Sequence, residues 1–411
     1  MRRVLDMAIS LPIVLVLWPV LLVLARARGR RARPVSVYGR LGTRVRYPVL
    51  RVFARTSRWW PLNYAGALLA VLSGKLSLTG PQVALRCGTC PAYARFAARP
   101  GLISPYLLQR RAQIAHDGRE HSDVAFLRAA TLRGHASLFV RFGISLLVGT
   151  RAPRTEDVLR LLDVDIANQT MVDAVAAIRA MARGGRLQQV AFVNADCFNI
   201  AARDPAYQRL LGELPMVLAD GVGVRLAARW FLQRGLKENV NGTDLFPRLC
   251  RMAADEGLSL YLLGARPGVA AAVAENARKR VPQLAIAGHR DGYWAEQDEQ
   301  SVVSAIRASG ADILLVAMGA PRQELWIAKN APRLGVKVAL GVGGLFDFYA
   351  GRVARAPLWL RELGLEWTYR LLQEPRRMWR RYVIGNPLFL WRAWRWARGE
   401  RLASANREAP A

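Results

Sequence analysis

The chain has 411 residues, which is longer than one typical domain and predicts two folded units. Lys and Arg number 60 against 30 acidic residues, so the formal net charge is +30. This excess favours phosphate-rich partners or an anionic membrane surface, without choosing between them. The four cysteines do not form a disulfide framework, which excludes a disulfide-stabilised secreted domain and predicts a reducing, cytoplasmic setting.

The first predicted element is the apolar run 7–25, MAISLPIVLVLWPVLLVLA, with arginines on both sides. Its length is that of a membrane segment. Positive charge at both ends, together with Pro12 and Pro19, favours a re-entrant helix that enters and leaves the bilayer on the cytoplasmic side, but a simple spanning helix remains open. Arginines occupy the positions of a signal-peptide cleavage site, which argues against cleavage.

Residues 1–150 are otherwise irregular and rich in arginine and aromatic side chains, and we expect an α-rich, membrane-associated domain there. Cys87 and Cys90 have the spacing of half a zinc site, and His116 and His121 follow. The gap between these pairs is longer than in a zinc finger and no hairpin pattern surrounds it, so we expect no metal.

Beyond residue 157, short apolar runs alternate with amphipathic helical patterns such as 267–281. This alternation predicts an α/β fold over 158–365, with a Rossmann-like, doubly wound parallel sheet covered on both faces. The predicted strands lie within 188–194, 216–221, 258–264, 283–288, 311–319 and 336–344.

Glycines follow several of these predicted strands. LLGARPGV, which contains Gly264, and GVGGLFD at 341–347 would leave backbone N–H groups and helix ends free to bind a pyrophosphate. In MGAPRQE, Pro321 suits the first helical position and Glu324 complements the positive helix end. Neither role explains Gln323, whose amide could bind a sugar or base edge at the mouth of a cleft. These turns together predict a nucleotide-diphosphate site.

LADGVGV places Asp220 at the end of a predicted strand, where a carboxylate can accept a proton from an attacking hydroxyl. The alternative is that Asp220 only caps the helix beginning near Val222. The same two interpretations apply to Asn194 and to the cluster Asn241, Thr243 and Asp244. Asp163 and Asp165 precede the glycine-rich strand ends and only weakly indicate a metal clamp, so we expect neither metal nor cofactor.

Residues 366–400 interleave arginine with tryptophan and leucine. Such a helix suits a lipid interface, because the rings lie at headgroup level while the guanidinium groups contact phosphates. A helix packed on its own domain, with a solvated basic face, is the alternative. We expect a membrane-binding appendage.

From about residue 161 to 382 the chain resembles the WecG/TagA/CpsF family of bacterial glycosyltransferases. The motifs that carry the resemblance are VNADCFNIAARDP, LADGVGV, NGTDLFP, LYLLGARPG, GHRDGYW, MGAPRQELWI, GVGGLFDFYAG and RAPLWLRELGLEWTYRLLQEPRR. The resemblance implies transfer of a sugar from a UDP-sugar, often N-acetylmannosamine or its uronic acid, to a lipid-diphosphate-linked sugar. It further implies that the configuration at the anomeric carbon is inverted and that no metal takes part.

The resemblance also assigns residues. The family's catalytic base falls on Asp220, and its substrate-pocket Asn and Gln fall on Asn194 and Gln323. The arginines thought to bind the lipid diphosphate at the membrane fall on Arg370, Arg377 and Arg380. From the resemblance and the strand-end pattern together, the candidate substrate-binding residues are Asn194, Asn239, Asn241, Asp244, Gly264, Gln323 and Glu324.

Two positions depart from the family pattern. Phe192 replaces a usual Thr two residues before Asn194, and Asn239 replaces a usual Arg. The missing arginine removes an expected cation for the leaving group, with Lys237 or Arg234 as candidate substitutes.

The first unit is similar to membrane-bound bacterial sugar transferases that attach a phosphosugar to undecaprenyl phosphate. RRVLDMAISLPIVLVLWPVLLVLA resembles their re-entrant helix, and GKLSLTGPQ resembles a further conserved element. Alignment on GKLSLTGP puts Asn63 and Tyr64 where the Asp-Glu catalytic dyad should be. Without the carboxylate nucleophile, we expect a degenerate, inactive membrane anchor.

The sequence therefore predicts a hexosyltransferase of exopolysaccharide, capsule or related surface-glycan assembly at the cytoplasmic face of the inner membrane. Its expected partners are a UDP-sugar of the N-acetylmannosamine, uronic acid or glucose type, an undecaprenyl-diphosphate-linked acceptor, and membrane lipids. One alternative is a bifunctional enzyme whose first unit also transfers a phosphosugar. A basic nucleic-acid-binding protein is the other, although no nucleic-acid module is recognisable.

Overall fold

The computed structural model describes residues 2–38, 40, 43–53, 60–83, 98–128, 131–148 and 155–408. The chain divides into two units, the first comprising Met1–Pro153 with Arg361–Leu363 and the second comprising Arg154–Leu360 with Gly364–Ala411. Cys87 and Cys90, whose spacing is that of half a zinc site, lie outside the described residues.

The first unit combines helices with two small two-stranded sheets, one antiparallel (β1 with β2) and one parallel (β3 with β4). Its elements are α1 (Arg2–Ala27), β1 (Arg33–Tyr38), β2 (Arg44–Val49), α2 (Ala67–Leu72), β3 (Ser77–Thr79), β4 (Gly101–Ile103), α3 (Pro105–Ala112), α4 (Gly118–Arg128) and α5 (Leu132–Val148).

Helix α1 is continuous through Pro12 and Pro19. Its residues Arg3–Ala27 are long and apolar enough to cross a membrane, with only 11% of the most apolar window buried in the protein. One side packs on the unit's own core through Leu21 and Ala25, and Asp6 accepts hydrogen bonds from Ser77 Oγ and Leu78 N. The opposite side exposes apolar side chains, so α1 is only half covered by its own domain.

The second unit begins with the hairpin β5 (Val158–Leu161) and β6 (Val164–Ala167), which the sequence analysis did not predict. The elements after it, up to the last strand, are α6 (Met171–Ala182), β7 (Gln188–Val193), α7 (Ala195–Ala201), α8 (Pro205–Glu213), β8 (Met216–Ala219), α9 (Val222–Phe231), α10 (Gly242–Asp255), β9 (Ser259–Gly264), α11 (Val269–Arg280), β10 (Ala285–Arg290), α12 (Glu299–Ala308), β11 (Ile313–Ala317), α13 (Arg322–Leu334) and β12 (Val338–Gly341). The remaining helices are α14 (Leu345–Tyr349), α15 (Leu358–Glu362), α16 (Glu366–Gln373), α17 (Pro375–Trp379) and α18 (Gly385–Glu408), with a π-helical turn at Arg380–Ile384.

The six strands predicted from the apolar runs form one parallel sheet, in the order β10-β9-β11-β12-β7-β8. The expected α/β fold with a Rossmann-like parallel sheet is therefore confirmed. Strand β7 lies between its successor β8 and the last strand β12, so the strand order changes direction there. In open parallel sheets, ligands bind beyond the carboxyl ends of strands near such a point.

Apolar cores cover both faces of this sheet, which is why its strands read as continuous apolar runs. One core joins β7 and β8 to α7, α8 and α9, and the buried Phe389 of α18 completes it. A second core lies on the same face, because the register pairs Ala191 with Gly341, Gly341 with Val316 and Val316 with Leu263; it joins β9, β11 and β12 to α12 and α13. The side chains of the other face, such as Val190 and Leu315, are buried as well.

Helix α18 has two different faces. Phe389, Ala393 and Ala397 are buried against the domain, while Trp391 and Trp394 are 50% and 44% exposed. The guanidinium groups of Arg395 and Arg398 lie over these two exposed rings. The helix thus packs on its own domain, as the alternative interpretation held, and also presents an arginine-tryptophan face outward.

Candidate active site

The carboxyl edge of the sheet brings the candidate residues together. Asn194 follows β7 and Asp220 follows β8, while Gly264 ends β9. Glycine turns at Gly319 and Gly343 follow β11 and β12. Residues separated by up to 150 positions in the chain therefore share one edge.

Asp220 lies in a sharp turn between β8 and α9. Its N–H donates to Val193 O at 2.8 Å, and the next N–H, that of Gly221, donates to Asn239 Oδ1 at 2.7 Å. Gly221, with φ at 93°, is the N-cap residue of α9, and no side chain caps this helix. The alternative that Asp220 serves as a helix cap is therefore wrong, and its carboxylate is left for another role.

Asn194 orients this carboxylate. Its Oδ1 caps α7 by accepting hydrogen bonds from Asp196 N and Cys197 N at 3.0 and 3.2 Å. Its amide group also hydrogen-bonds to Asp220 and lowers the pKa of that carboxyl. Asn194 thus caps a helix and also holds the candidate base, while its predicted place in the substrate pocket stays a prediction.

Burial raises the pKa of Asp220 from 3.8 to about 6, and the negative charge of Glu366 adds to the rise. Arg381, Asn194 and Arg355 oppose it by stabilising the carboxylate. A carboxylate with a pKa near 6 is ionised at neutral pH and is more basic than an exposed aspartate. Such tuning suits a general base.

Arg381 belongs to the π-helical turn and was not singled out by the sequence. Its Nε lies 3.3 Å from Asp196 Oδ2, in the first turn of the helix that Asn194 caps. Isolated π turns occur frequently at functional sites. The Arg381 charge therefore acts on Asp220 from an element that follows the sheet in the chain.

A second network holds Asn241 and Asp244 at the start of α10. Asn241 caps this helix, and its Nδ2 donates to Asp244 Oδ2 at 2.8 Å. Arg355 then contacts Asp244 with two hydrogen bonds of 2.6 and 2.8 Å, and its Nε lies 3.4 Å from Glu366. Arg355 opens the motif RAPLWLRE, yet the motif by itself gave it no role.

A cavity of about 740 Å³ opens at the ends of β9, β11 and β12. Backbone groups of Gly319, Gly343 and Gly344 form part of its wall. Its charged side chains are Arg266, Arg322, Asp347, Arg352, Glu374 and Arg377. Four cations and several glycine turns around one concave surface suit a diphosphate.

Comparison with known proteins agrees with this geometry. Residues 159–403 match the glycosyl transferase WecG/TagA/CpsF family. The chain belongs to this family. It is therefore a glycosyltransferase of polysaccharide biosynthesis, an enzyme that uses a sugar donor and an acceptor substrate.

Three residues predicted to bind substrate in this WecG/TagA/CpsF protein are buried, and their contact with substrate stays a prediction. Gly264 has φ at 124°, and a Cβ there would lie 2.5 Å from Ala317 O, so the close approach of β9 and β11 requires glycine. Gln323 is only 3% exposed and Glu324 is 0% exposed, so neither lies at the mouth of the cleft. Pro321 precedes the first residue of α13 rather than occupying it.

The three family arginines of the appendage occupy different environments. Arg377 lines the cavity, and Arg380 lies exposed over the Trp379 ring. Arg370 is 9% exposed, with its Nε 2.8 Å from Glu374 and its guanidinium over the Phe348 ring. Arg370 is therefore buried within the domain, and its Nη1 has no hydrogen-bond partner among the described residues, while its contact with a lipid diphosphate stays a prediction.

The departure at Asn239 has a structural explanation. The side chain accepts the Gly221 N–H and so fixes the turn that carries Asp220. The two candidate substitutes are paired with exposed carboxylates, Lys237 with Asp157 at 2.6 Å and Arg234 with Glu156 at 2.8 Å, and their part in binding the leaving group stays a prediction. The other departure, Phe192, is 7% exposed and belongs to strand β7.

Asn239→Ala is expected to lower kcat about tenfold, because the Asp220 turn loses one of its fixed hydrogen bonds. The free energy of unfolding should fall by about 1 kcal/mol. Asn239→Asp keeps the acceptor oxygen and should keep the stability, while its charge moves the acidic limb of the rate profile to higher pH. Initial rates and thermal melts measure both effects; native kcat in the alanine variant would show that this contact is dispensable.

No group of three or more His, Cys, Asp or Glu side chains suited to a metal lies together within the described ranges. The proposed weak metal clamp falls on the β5–β6 hairpin, where Asp163 and Asp165 are more than half exposed and lie within 3.4 and 4.0 Å of Arg160. His116 stacks edge-on against Tyr106.

Proposed function

We propose that this protein is an inverting, metal-independent hexosyltransferase that moves a sugar from a UDP-sugar to an undecaprenyl-diphosphate-linked saccharide. The donor class is N-acetylmannosamine, its uronic acid or a glucose-type sugar. The reaction serves surface polysaccharide assembly at the cytoplasmic face of the inner membrane. The observation that carries this proposal is the carboxylate of Asp220, which does not cap a helix and has a raised pKa. Asn194 holds it at the same edge of the sheet as the basic cavity.

In the proposed reaction the acceptor hydroxyl attacks the anomeric carbon from the face opposite the leaving group. A new C–O bond forms, the bond to the diphosphate breaks, and its electron pair leaves with UDP. Asp220 takes the hydroxyl proton, because its carboxylate is ionised at neutral pH. The arginines of the cavity would stabilise the charge that develops on UDP.

The spacing of the sheet supports one continuous site. Strands β12 and β8 are separated by β7 alone, and two strand spacings amount to about 10 Å. A nucleotide diphosphate bound at β9, β11 and β12 can therefore extend its sugar toward Asp220 after β8.

Membrane attachment is supported by two exposed apolar surfaces, one in each unit. Helix α1 exposes large aliphatic side chains such as Leu15, Val16 and Val23. The appendage exposes Trp379, Trp391 and Trp394 among arginines. Apolar rings interleaved with guanidinium groups bind well at an anionic lipid surface.

The experiment that tests the reaction measures UDP and UMP release by membranes carrying the full chain. A panel of UDP-sugars is offered with a lipid-diphosphate-linked sugar acceptor. We expect UDP alone, released only when donor and acceptor are both present. Absence of UDP with every donor of the three classes would overturn the proposed donor chemistry.

UMP would instead support the bifunctional alternative, in which the first unit transfers a phosphosugar. The structure offers that reaction little support at the aligned position. Asn63 is 2% exposed, and its amide is used on the backbone of Phe53, accepting from N at 2.9 Å and donating to O at 2.8 Å. An amide so engaged supplies no carboxylate nucleophile. For the nucleic-acid alternative, affinity that falls steeply with salt would be the signature.

A further inference from the structure

Gln323 joins the two glycine turns of the cavity. Its Oε1 accepts hydrogen bonds from Gly319 N at 3.0 Å and from Gly343 N at 2.9 Å. Gly319 follows β11 and Gly343 follows the neighbouring strand β12, with φ at 81° and 54°. Because one oxygen holds both amides, the two turns cannot separate without breaking a bond. Both glycines line the cavity.

Glu324 fixes the other end of this amide. Gln323 Nε2 donates to Glu324 Oε1 at 2.7 Å, which orients the Gln323 oxygen toward the two glycines. Glu324 is fully buried, and its Oε2 has no hydrogen-bond partner among the described residues. A buried carboxyl with an unsatisfied oxygen is costly, so its position beside Gln323 calls for a reason.

The last residue of β12 shows how tightly this pair is packed. A Cβ at Gly341 would lie 2.8 Å from both Gln323 Nε2 and Glu324 Oε1. Glycine at this position therefore makes room for the side-chain pair beneath the sheet edge. The pair sits under the cavity wall and not in its opening.

We propose that Gln323 is a positioning residue, held by Glu324, that sets the spacing of the Gly319 and Gly343 turns for the donor diphosphate. This inference rests on the proposed function, since it takes the cavity to be the donor site. Gln323 then contributes through the two glycine backbones and makes no direct contact with the sugar or the base.

Three variants test whether Gln323 holds the two glycine turns together. Gln323→Met removes its hydrogen bonds to Gly319 and Gly343 and keeps a side chain of similar volume. Gln323→Glu keeps an acceptor for the glycines but places a carboxyl against Glu324, so the two must share a proton. The double variant Gln323→Glu with Glu324→Gln reverses donor and acceptor within the pair and restores every hydrogen bond. Gln300→Met, on the exposed surface of α12, is the matched control.

The titratable groups facing Glu324 from the neighbouring elements are Cys197 of α7 and Tyr207 of α8. Burial raises the pKa of the Cys197 thiol to about 12 and raises the pKa of Tyr207, so neither ionises near neutrality. Burial also raises the pKa of Glu324 to about 6. The Gln323→Glu variant should consequently work at pH 6 and fail by pH 8, a dependence that the double variant lacks.

Hydrogen exchange of the Gly319 and Gly343 amides is measured beside UDP titration and initial rates. For Gln323→Met we expect faster exchange at both amides and a donor KM about ten to a hundredfold higher, with kcat less affected. The double variant should return exchange and KM to within about threefold of the native values, since restoring both hydrogen-bond partners removes the cost of an unsatisfied buried group.

A double variant that regains amide protection but keeps the poor KM would overturn the proposal and assign Gln323 to direct substrate contact. Unchanged exchange in Gln323→Met would also overturn it. If Gln323→Met does not fold, the comparison of Gln323→Glu with the double variant tests the proposal. Equal pH dependence of these two variants would overturn it. Failure of the native protein to bind UDP would count against the proposed function, while the exchange experiment still tests whether Gln323 holds the two glycine turns.

Discussion

Asp220→Asn is expected to reduce kcat by about 10³-fold, within the range observed when a general base is removed. The amide keeps the size of the side chain and the contact with Asn194, but it cannot accept the acceptor's proton. KM for the donor should change little, because the arginines and glycine turns of the cavity are untouched. Steady-state UDP release with donor and acceptor varied in turn measures both constants.

The pH dependence follows from the raised pKa of Asp220. Native kcat should fall as pH drops below about 6, because the carboxyl then carries the proton that it must accept. The stability effect has the opposite sense. A raised acid pKa contributes stability below pH 4 that is lost as pH rises from about 4 to about 6.

Asp220→Asn should therefore unfold at an equal or higher temperature than the native protein at pH 7.5. The buried charge that the substitution removes costs about 1–3 kcal/mol at that pH. A thermal melt thus separates lost chemistry from lost folding. Near-native turnover in a stable Asp220→Asn protein would show that another group accepts the proton.

Arg355→Met is expected to destabilise the second unit by about 3 kcal/mol, because it removes the guanidinium that donates two hydrogen bonds to the half-buried Asp244 carboxylate. The two side chains are 24% and 15% exposed, so water replaces little of the lost interaction. The same substitution frees Glu366 and removes a cation that lowers the pKa of Asp220. The acidic limb of the kcat profile should move to higher pH. Chemical denaturation and the rate profile are the two measurements.

Asp244→Asn separates these effects through a double-mutant cycle. The Arg355→Met and Asp244→Asn double variant has no carboxylate at position 244 that has lost the Arg355 hydrogen bonds, so we expect it to be more stable than Arg355→Met alone. Its pH profile should still be shifted, since Arg355 is absent in both. Additive stability losses in the cycle would mean that the ion pair contributes no coupling.

The strands were predictable because burial on both faces leaves a local signature. Runs such as 258–264 and 311–319 became β9 and β11, each shorter by one to four residues at its ends. The hairpin β5–β6 was missed, because its alternating residues are half exposed and its strands have four residues each. Element boundaries depend on hydrogen bonds to neighbouring strands, which composition does not encode.

The candidate site was predictable at Asp220 and Asn194, since a polar residue directly after a buried strand must lie at the carboxyl edge. Arg355 and Arg381 were not assigned, because their partners Asp244 and Asp196 lie 111 and 185 positions earlier in the chain. Nothing local distinguishes these two arginines from the others in a chain with 60 basic residues. The packing of the last helix against α7 and α9 brings Arg381 to the edge, and Arg355 is placed by its contacts with Asp244 and Glu366.

Sequence alone determined the class of the second unit, its parallel sheet and its family, and it placed the candidate base Asp220 at the end of a strand, because apolar periodicity and contiguous motifs are local properties. Tertiary structure decided the surroundings of each candidate residue. It turned Gln323 and Glu324 inward beneath the glycine turns, assigned Asn239 to the Asp220 turn, and separated Arg370 inside the domain from Arg377 in the cavity. The direction in which a side chain points depends on the elements that pack around it. Those elements come from distant parts of the chain, so no single motif determines the direction.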